Sequence, residues 1–372
     1  MDRKILIIAV AAVLIVAAAA IAVVAASGGG NNDKPDQPTI DNSEFDEESG
    51  VLLIYGNANK DGLMDSADAS AIEVLIASKS YAKVADANQD GVIDSSDLSI
   101  VNKMINHQKT DIYYQDMTDG PTKIGYPVTS FMGIHQFVLI PMVAIGGLQY
   151  MDGYTLHPNG QSAATMLEYL YETEVNVNTS YNMVDVEKLS NLSTKPKVIL
   201  TYSSSLSNEN KIEKSGIQVV HLQFGIFKGS MSAVRTFGFI LNLADAANEY
   251  VQFIEDVVKD IDAKIISKLG SDSDRKSVMC GYMTNCIDHS NGSYVPMAIA
   301  AGARSAFDGT DMDNNYIEFN RGDEWITAYN EDYFFYMNSW GYTDHVDQVE
   351  FYKKSADYFT TLRSYNAGNF VV

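Results

Sequence analysis

The sequence predicts an α/β fold for most of the chain, preceded by a small helical module and an N-terminal membrane-spanning helix. Three observations carry this prediction: an apolar run near the N-terminus, an acidic loop that occurs twice, and alternating strand and helix patterns beyond Asp111. The 372 residues leave room for two or three domains, and 46% hydrophobic with 20% charged residues is typical of a globular chain.

The charge balance excludes one class of partner. Asp and Glu total 48 against 26 Lys and Arg, which gives a formal net charge of -22. A surface this negative repels phosphate backbones, so we expect no nucleic-acid partner. The 2 cysteines exclude a disulfide scaffold and a cysteine-based zinc module.

Residues 1–26 form the predicted transmembrane anchor or signal. After Arg3 and Lys4 the chain is apolar without interruption to Ala26, which at ~1.5 Å per residue spans a ~30 Å hydrocarbon core. The basic residues favour the cytoplasmic side, so we expect the bulk of the chain outside the cytoplasm. A cleaved signal is the alternative, because the run ends in small residues before Ser27.

A loop of calcium-binding type occurs twice. Loop 1 is NANKDGLMDSAD, residues 57–68, and loop 2 is DANQDGVIDSSD, residues 86–97. Both place oxygen-bearing side chains at positions 1, 3, 5, 9 and 12 and glycine at position 6, and calcium takes six to eight oxygen ligands from such a curled loop. Gly62 and Gly91 are expected to allow the sharp turn. The predicted ligands are Asn57, Asn59, Asp61, Leu63 (carbonyl), Asp65 and Asp68 in loop 1, and Asp86, Asn88, Asp90, Val92 (carbonyl), Asp94 and Asp97 in loop 2.

The two loops differ in charge. Loop 1 has three carboxylates because Asn57 occupies its first position, whereas loop 2 has four. We therefore expect loop 2 to bind calcium more tightly. Each loop runs into a short amphipathic helix, and the small core between two such helices usually needs a metal for stability. The apolar positions of the two helices are Ile72, Leu75, Ile76, Leu98, Val101, Met104 and Ile105.

Residues 51–110 resemble a type I dockerin. Position 12 is Asp in both loops, where the ordinary helix-loop-helix calcium hand has Glu, and no helix is expected before loop 1. The alternative for a single loop is a plain Asp-Gly turn, but both copies agree in spacing. The resemblance implies a cohesin domain as partner, bound near loop positions 10 and 11. These positions are Ser66, Ala67, Ser95 and Ser96. Residues 27–50, which precede the module, are expected to form a flexible acidic linker.

Beyond Asp111 the pattern is that of an α/β domain with parallel strands. Five apolar segments are predicted as buried strands: residues 128–133, 197–203, 217–224, 276–283 and 333–338. Helices are expected between them, for example at residues 162–171 and 317–329. Residues 245–269 are predicted as one long amphipathic helix of about 38 Å. This spine, in the segment 243–270, separates a first lobe, 111–242, from a second lobe, 271–372.

Residues 112–372 resemble a substrate-binding protein of an ABC importer, of the type that captures iron-siderophores and cobalamin. The order of segments carries the resemblance: DMTDGPTKIGYP, VDVEKLSNLSTKPKVILTYS, ENKIEKSGIQVVHL, the spine helix, FNRGDEWITAYNEDYFFYMNS and YFTTLRSYNAGNFVV. It implies a two-lobed fold, a metal chelate (ferric siderophore, haem or cobamide) as ligand, an importer permease as partner, and no enzymatic activity. The family has further helices after the last strand, so the second lobe is expected to be incomplete at the C-terminus.

Ligands of open α/β sheets lie beyond the carboxyl ends of the strands. This rule selects aromatic and hydroxyl-bearing residues that suit a chelate, with one arginine able to pair with a carboxylate or phosphate. They are His135, Tyr202, Ser203, Ser204, Phe224, His289, Asn291, Arg304 and Trp340. A bare transition metal is less favoured because the 6 histidines are scattered. Cys280 and Cys286 form either a disulfide or one buried and one loop thiol.

The sequence thus predicts an extracytoplasmic solute-binding protein with a calcium-dependent docking module. The alternative is a dockerin-bearing component of a cell-surface assembly, or an adhesion component, whose α/β domain is not used for transport. A hydrolase is disfavoured, because the sequence has no G-x-S-x-G, no H-E-x-x-H and no phosphate-binding glycine loop. No catalytic residue is predicted.

Overall fold

The structure is a computed structural model, and it divides the chain into two units. It describes residues 40–46, 50–155, 178–180, 183–192, 194–202, 206–269, 271, 274–281, 286–289, 292, 294–310, 317–319, 327–329, 331–336 and 362–371. Unit 1 comprises Met1–Thr129, Ile145–Tyr150 and Met231–Asn248, and the remaining residues to Val372 form unit 2.

Helices and strands alternate along the described chain. The helices are α1 (Ser66–Ser78), α2 (Ser95–Ile105), α3 (Gln136–Ala144), α4 (Val186–Ser190), α5 (Glu209–Glu213), α6 (Phe227–Ile240), α7 (Ala244–Lys264), α8 (Val295–Ala300) and α9 (Arg363–Asn366). The strands are β1 (Ile40–Asp41), β2 (Tyr81–Ala82), β3 (Thr110–Asp116), β4 (Gly120–Tyr126), β5 (Phe131–Ile134), β6 (Met151–Thr155), β7 (Asn178–Ser180), β8 (Met183–Val184), β9 (Val198–Thr201), β10 (Gln218–His221), β11 (Ser277–Gly281), β12 (Cys286–Asp288), β13 (Arg304–Ser305), β14 (Ile317–Phe319), β15 (Tyr333–Tyr336) and β16 (Phe370–Val371).

Unit 1 contains both loops and the helices that follow them. Helices α1 and α2 begin directly after position 9 of their loops and pack against each other. The predicted apolar stripes face this contact in part, since Ile72, Val101 and Met104 are fully buried. The antiparallel hairpin β3–β4 follows, and Ile54 forms a bridge to Tyr114 of β3.

The linker before the module is structured where it is described. Strand β1 pairs in parallel with β2, and the Phe45 ring lies edge-on to Tyr55 at 5.3 Å between centroids. Asp41 forms an ion pair with Lys60 of loop 1, in which Lys60 Nζ lies 3.7 Å from Asp41 Oδ2. The expectation of a flexible linker is therefore wrong for residues 40–46, because an apolar ring and a charged pair fix them to the module.

The first sheet of unit 2 has the strand order β10-β9-β5-β6, and all its pairings are parallel. Its central strands β5 and β9 are buried throughout, and Met132, Ile134, Ile199 and Val219 belong to one core cluster. This confirms the three predicted strands of the first α/β block, with shorter bounds.

The second sheet of unit 2 is mixed. Strand β11 pairs in parallel with β13 and β15, and β15 with β16, whereas β12 is antiparallel to both β11 and β14. Strands β11 and β15 confirm two predictions. The helix predicted over residues 317–329 is wrong at its start, because Ile317–Phe319 pairs with Cys286–Asp288 and an antiparallel partner outweighs the local helical pattern.

The predicted long helix is present as α7, which stands in sequence between the two sheets. It ends at Lys264, and a short 3-10 turn, Ile266–Lys268, completes the predicted segment. The predicted anchor at residues 1–26 and the predicted helix at 162–171 lie outside the described residues. Among the helices that are described, none is both long and apolar enough to cross a membrane.

Candidate functional site

Both loops turn at residues with a left-handed backbone conformation, but only one of these residues is a glycine at position 6. Lys60 (φ 56°) and Gln89 (φ 58°) are left-handed at position 4, and Gly91 (φ 88°) is left-handed at position 6 of loop 2. Gly62 is not left-handed, so the expected need for a turn glycine is wrong for loop 1. A Cβ on Gly62 would lie 2.7 Å from Arg235 Nε, so a larger residue at this position would displace the Arg235 side chain.

Position 12 of each loop is a buried carboxylate that joins the loop to its helix. Asp68 accepts hydrogen bonds from the backbone N–H groups of Asn59 (3.3 Å) and Asp65 (2.9 Å), and Asp97 accepts three such bonds. Asp65 in turn caps α1, completing a capping box, and loop 2 repeats the arrangement. The short Asp side chain at position 12 therefore serves as the third residue of the helix as well as a candidate ligand.

Burial of these carboxylates in their charged form is energetically unfavourable unless a cation lies nearby. Asp68, Asp86 and Asp97 are at most 1% exposed. Burial raises the pKa of Asp68 to about 7, with the negative charges of Asp61 and Asp65 adding to the effect, and burial also raises the pKa of Asp97. Among the described residues no Lys, Arg or His forms an ion pair with a carboxylate of either loop.

The donor chemistry of both loops fits calcium, which is a hard cation bound by carboxylate, amide and backbone oxygens. Within the part of the chain that is described, no three His, Cys, Asp or Glu side chains converge as a ready metal centre. Asp61 and Asp90 accept hydrogen bonds from the N–H groups of Leu63 and Val92. The fit therefore rests on donor chemistry and on buried carboxylates that no described cationic side chain pairs with, and not on a converged geometry.

The calcium-free protein is expected to lose stability as the pH rises from about 4 to about 7. Asp68 ionises near its ordinary value of 3.8 when unfolded but keeps its proton to about 7 when folded, so the folded state binds more protons in this window. Because calcium needs the carboxylate, its affinity for loop 1 should rise by up to about tenfold per pH unit over the same window.

Calcium titration calorimetry at several pH values measures this dependence. Asp68→Asn should remove it, whereas Asp111→Asn, at an exposed residue paired with Lys123, should leave it unchanged. An affinity of loop 1 that does not vary with pH would contradict the role given to Asp68.

Three rings meet at the carboxyl edge of the first sheet. His135 follows β5, and its ring lies 4.5 Å from Tyr202 and 4.6 Å from Phe137, measured between centroids. Phe137 and Tyr202 are half-buried and contact each other edge-on at 5.4 Å. His135 is left-handed (φ 74°), a strained conformation for a non-glycine residue, and such strain is found preferentially at functional sites. We call His135, Phe137 and Tyr202 the aromatic cluster.

Three of the other predicted ligand residues lie in the described part of the chain: Phe224, His289 and Arg304. Phe224 lies buried after β10, and His289 is fully buried with its ring stacked on Phe307 at 4.3 Å. Arg304 lies at the amino edge of the second sheet, where it pairs with Ser277 at the start of β11 and its Nε donates to the carbonyl of Arg275. The carboxyl-edge argument therefore does not apply to Arg304. Ser203, Ser204, Asn291 and Trp340 lie outside the described residues.

The cysteine pair is not joined through Cys280. That residue is a buried free thiol in β11, which contradicts the disulfide alternative. Burial, together with the nearby charge of Asp288, raises the pKa of Cys280 to about 12, so this thiol is unreactive.

Two residues of interest were missed by sequence reasoning. Phe137 lies inside the apolar helix α3, where a ring at the first turn looks like an ordinary core residue. Arg235 lies on α6, far along the chain from the loop that it contacts. Its neighbours in sequence give no signal for that contact.

Comparison with solved structures shows that the α/β part has a known fold. A periplasmic binding protein from Veillonella parvula is 16% identical, with 70% of this chain and 90% of that chain covered and a TM-score of 0.57. The molybdate-bound protein MolA of Haemophilus influenzae is 14% identical (70% and 82% covered, TM-score 0.52). The petrobactin-binding protein YclQ of Bacillus subtilis is 17% identical (70% and 89% covered, TM-score 0.51). At these identities the similarity shows the fold alone.

The fold is thus that of extracytoplasmic solute binders. The chain belongs to the periplasmic binding protein family, whose model matches residues 151–355, more than half of the sequence. The family model of the dockerin type I domain matches residues 55–106. Dockerin type I domains generally bind calcium and have cohesin domains as partners. Both resemblances are confirmed, as is the prediction of a non-enzymatic protein. No curated protein matches the chain.

Proposed function

We propose that the protein captures a metal chelate outside the cytoplasm and delivers it to an ABC importer. The chelate would be a ferric siderophore, haem or a cobamide, and the importer permease would be the partner that receives it. The single observation that carries this proposal is the aromatic cluster at the carboxyl edge of a parallel sheet, in a chain of the periplasmic binding protein family.

The chemistry of the aromatic cluster supports a planar or ring-bearing ligand. Phe137 and Tyr202 are half-buried aromatic residues, and aromatic side chains of this kind can stack on the rings of a ligand. His135 Nδ1 accepts a hydrogen bond from Phe137 N–H at 3.3 Å, which helps to fix the His135 ring within the aromatic cluster. Ser203, Ser204, Phe224, His289, Asn291 and Trp340 remain predicted ligand contacts.

We also propose that loops 1 and 2 each bind one calcium ion through the twelve ligands given above. The first residues of α1 and α2 would then face a cohesin domain. Ser66, Ser95 and Ser96 are exposed and Ala67 is half-buried, which supports their availability to a partner. The apolar run to Ala26 would keep the protein on the outer face of the cell membrane.

A ligand screen by thermal shift tests the proposed function. We expect ferric catecholate, ferric hydroxamate, haem or cyanocobalamin to raise the unfolding temperature, with at least one giving several degrees at saturating concentration. Maltose and cellobiose serve as controls and should have no effect. A shift with the sugars alone, or with none of these compounds, would contradict capture of a metal chelate.

The dockerin match favours a second candidate function, a cell-surface assembly or adhesion component whose α/β domain does not serve transport. A pull-down with immobilised cohesin domains, in calcium and in chelator, tests it. Calcium-dependent capture by cohesin in a protein that binds no chelate would support this candidate over uptake.

A further inference from the structure

The two calcium loops differ in what covers them. The Arg235 side chain lies against the backbone of loop 1 at Gly62, whereas a Cβ on Gly91 of loop 2 would meet nothing within 4 Å. Loop 1 is also held on another side by the ion pair of Lys60 with Asp41. Loop 1 is therefore packed within its own chain at position 6, where loop 2 is open.

Two residues of α6 hold the segment Gly50–Leu53, which leads into loop 1. Arg235 Nη1 donates to the carbonyl of Gly50, and Arg235 Nε donates to Asn248 Oδ1 of α7 at 3.0 Å. The next residue, Thr236, accepts a hydrogen bond from Leu53 N–H through its hydroxyl at 3.0 Å. Leu53 and Thr236 are buried, so this bond is shielded from water.

The same segment is bonded to ligands of loop 1. The carbonyl of Asp61 accepts from Leu52 N–H at 2.8 Å and from Asn57 Nδ2 at 2.8 Å. Asn57 Nδ2 also donates to the carbonyl of Leu52 at 2.7 Å. The side chain of an aspartate at position 57 would have no N–H group to donate to these two carbonyls. This explains why loop 1 carries Asn at its first position, where loop 2 carries Asp86.

We propose that loop 1 with the segment Gly50–Leu53 is a calcium-dependent docking surface whose partner is the chain's own helix α6. Calcium that orders Asn57 and Asp61 fixes Leu52 and Leu53, and these in turn fix α6 through Thr236 and Arg235. Loop 2 has no such contact at Gly91, so its calcium leaves α6 unaffected. The inference rests on the proposed calcium site in loop 1, and Arg235 is a positioning residue that touches no calcium.

Hydrogen exchange of the full chain tests the proposal on peptides covering residues 231–248. We expect millimolar calcium to slow exchange there by at least about tenfold. Asp61→Ala should abolish the slowing, whereas Asp90→Ala, the matched change at position 5 of loop 2, should retain it. Arg235→Gln should still bind calcium at loop 1 but show a much smaller slowing, which keeps the test valid where Asp61→Ala fails to fold.

Calorimetric calcium binding separates this proposal from the proposed function. If loop 1 binds calcium and exchange in residues 231–248 does not change, the coupling is wrong while the calcium site stands. If Asp61→Ala and Asp90→Ala reduced the calcium-dependent slowing of exchange equally, the proposed coupling would also be wrong, because the effect would then come from the whole module. An absence of calcium binding would overturn both.

Discussion

Removal of calcium is expected to destabilise the dockerin-like module and to lower its thermal midpoint by at least about 10 °C. The physical reason is the burial of Asp68, Asp86 and Asp97, which no cationic side chain of the described residues compensates. Calcium supplies the missing positive charge, and the small core of α1 and α2 is too limited to bear that cost alone. Calorimetry of the full chain in calcium and in chelator measures the effect.

Two controls make this result specific. Magnesium should restore little of the lost stability, because it demands a tighter octahedral shell than a 12-residue loop provides. Asp90→Ala should remove the tighter of two binding steps, since loop 2 has the higher ligand charge. A midpoint that is equal in calcium and in chelator would contradict both calcium sites, and an intact tighter step in Asp90→Ala would contradict the order of affinities.

Replacement of Tyr202 by Ala is expected to weaken binding of the chelate identified by the screen by roughly ten- to a hundredfold. The change removes one of the two half-buried rings of the aromatic cluster, the ring whose centroid lies 4.5 Å from that of His135. Titration by intrinsic fluorescence quenching gives the dissociation constant for the wild-type chain and the variant.

Tyr113→Ala is the matched control, because Tyr113 is also half-buried but belongs to β3 in unit 1. It should leave the dissociation constant unchanged. Tyr202→Phe should retain most of the affinity if stacking dominates. An unchanged affinity in Tyr202→Ala would show that the ligand does not contact the aromatic cluster.

The dockerin type I module could be predicted because its information is local. The spacing of oxygen residues, the helix that follows each loop and the apolar stripe are all set within a few residues of one another. The Asp at position 12 looked like a departure from the ordinary calcium hand. The structure explains it, since Asp68 and Asp97 also complete capping boxes.

The features that could not be predicted depend on distant partners. The turn role assigned to Gly62 is wrong because its backbone is not left-handed, and its contact with Arg235 could not be predicted because Arg235 lies far along the chain in α6. The helix predicted at 317–329 is wrong at its start because Ile317–Phe319 pairs with β12 as an antiparallel strand. Arg304 was assigned to the wrong sheet edge because the residues around Arg304 do not determine the register of β13 on β11.

Native mass spectrometry of the protein purified from its source tests the central claim most directly. If the protein captures a metal chelate, the intact chain should carry one small molecule with either the isotope pattern of iron or the accurate mass of a cobamide, and Tyr202→Ala should carry less of it. A protein that carries a sugar, or that remains without ligand when offered ferric chelates, haem and cobamide, would contradict the proposed function.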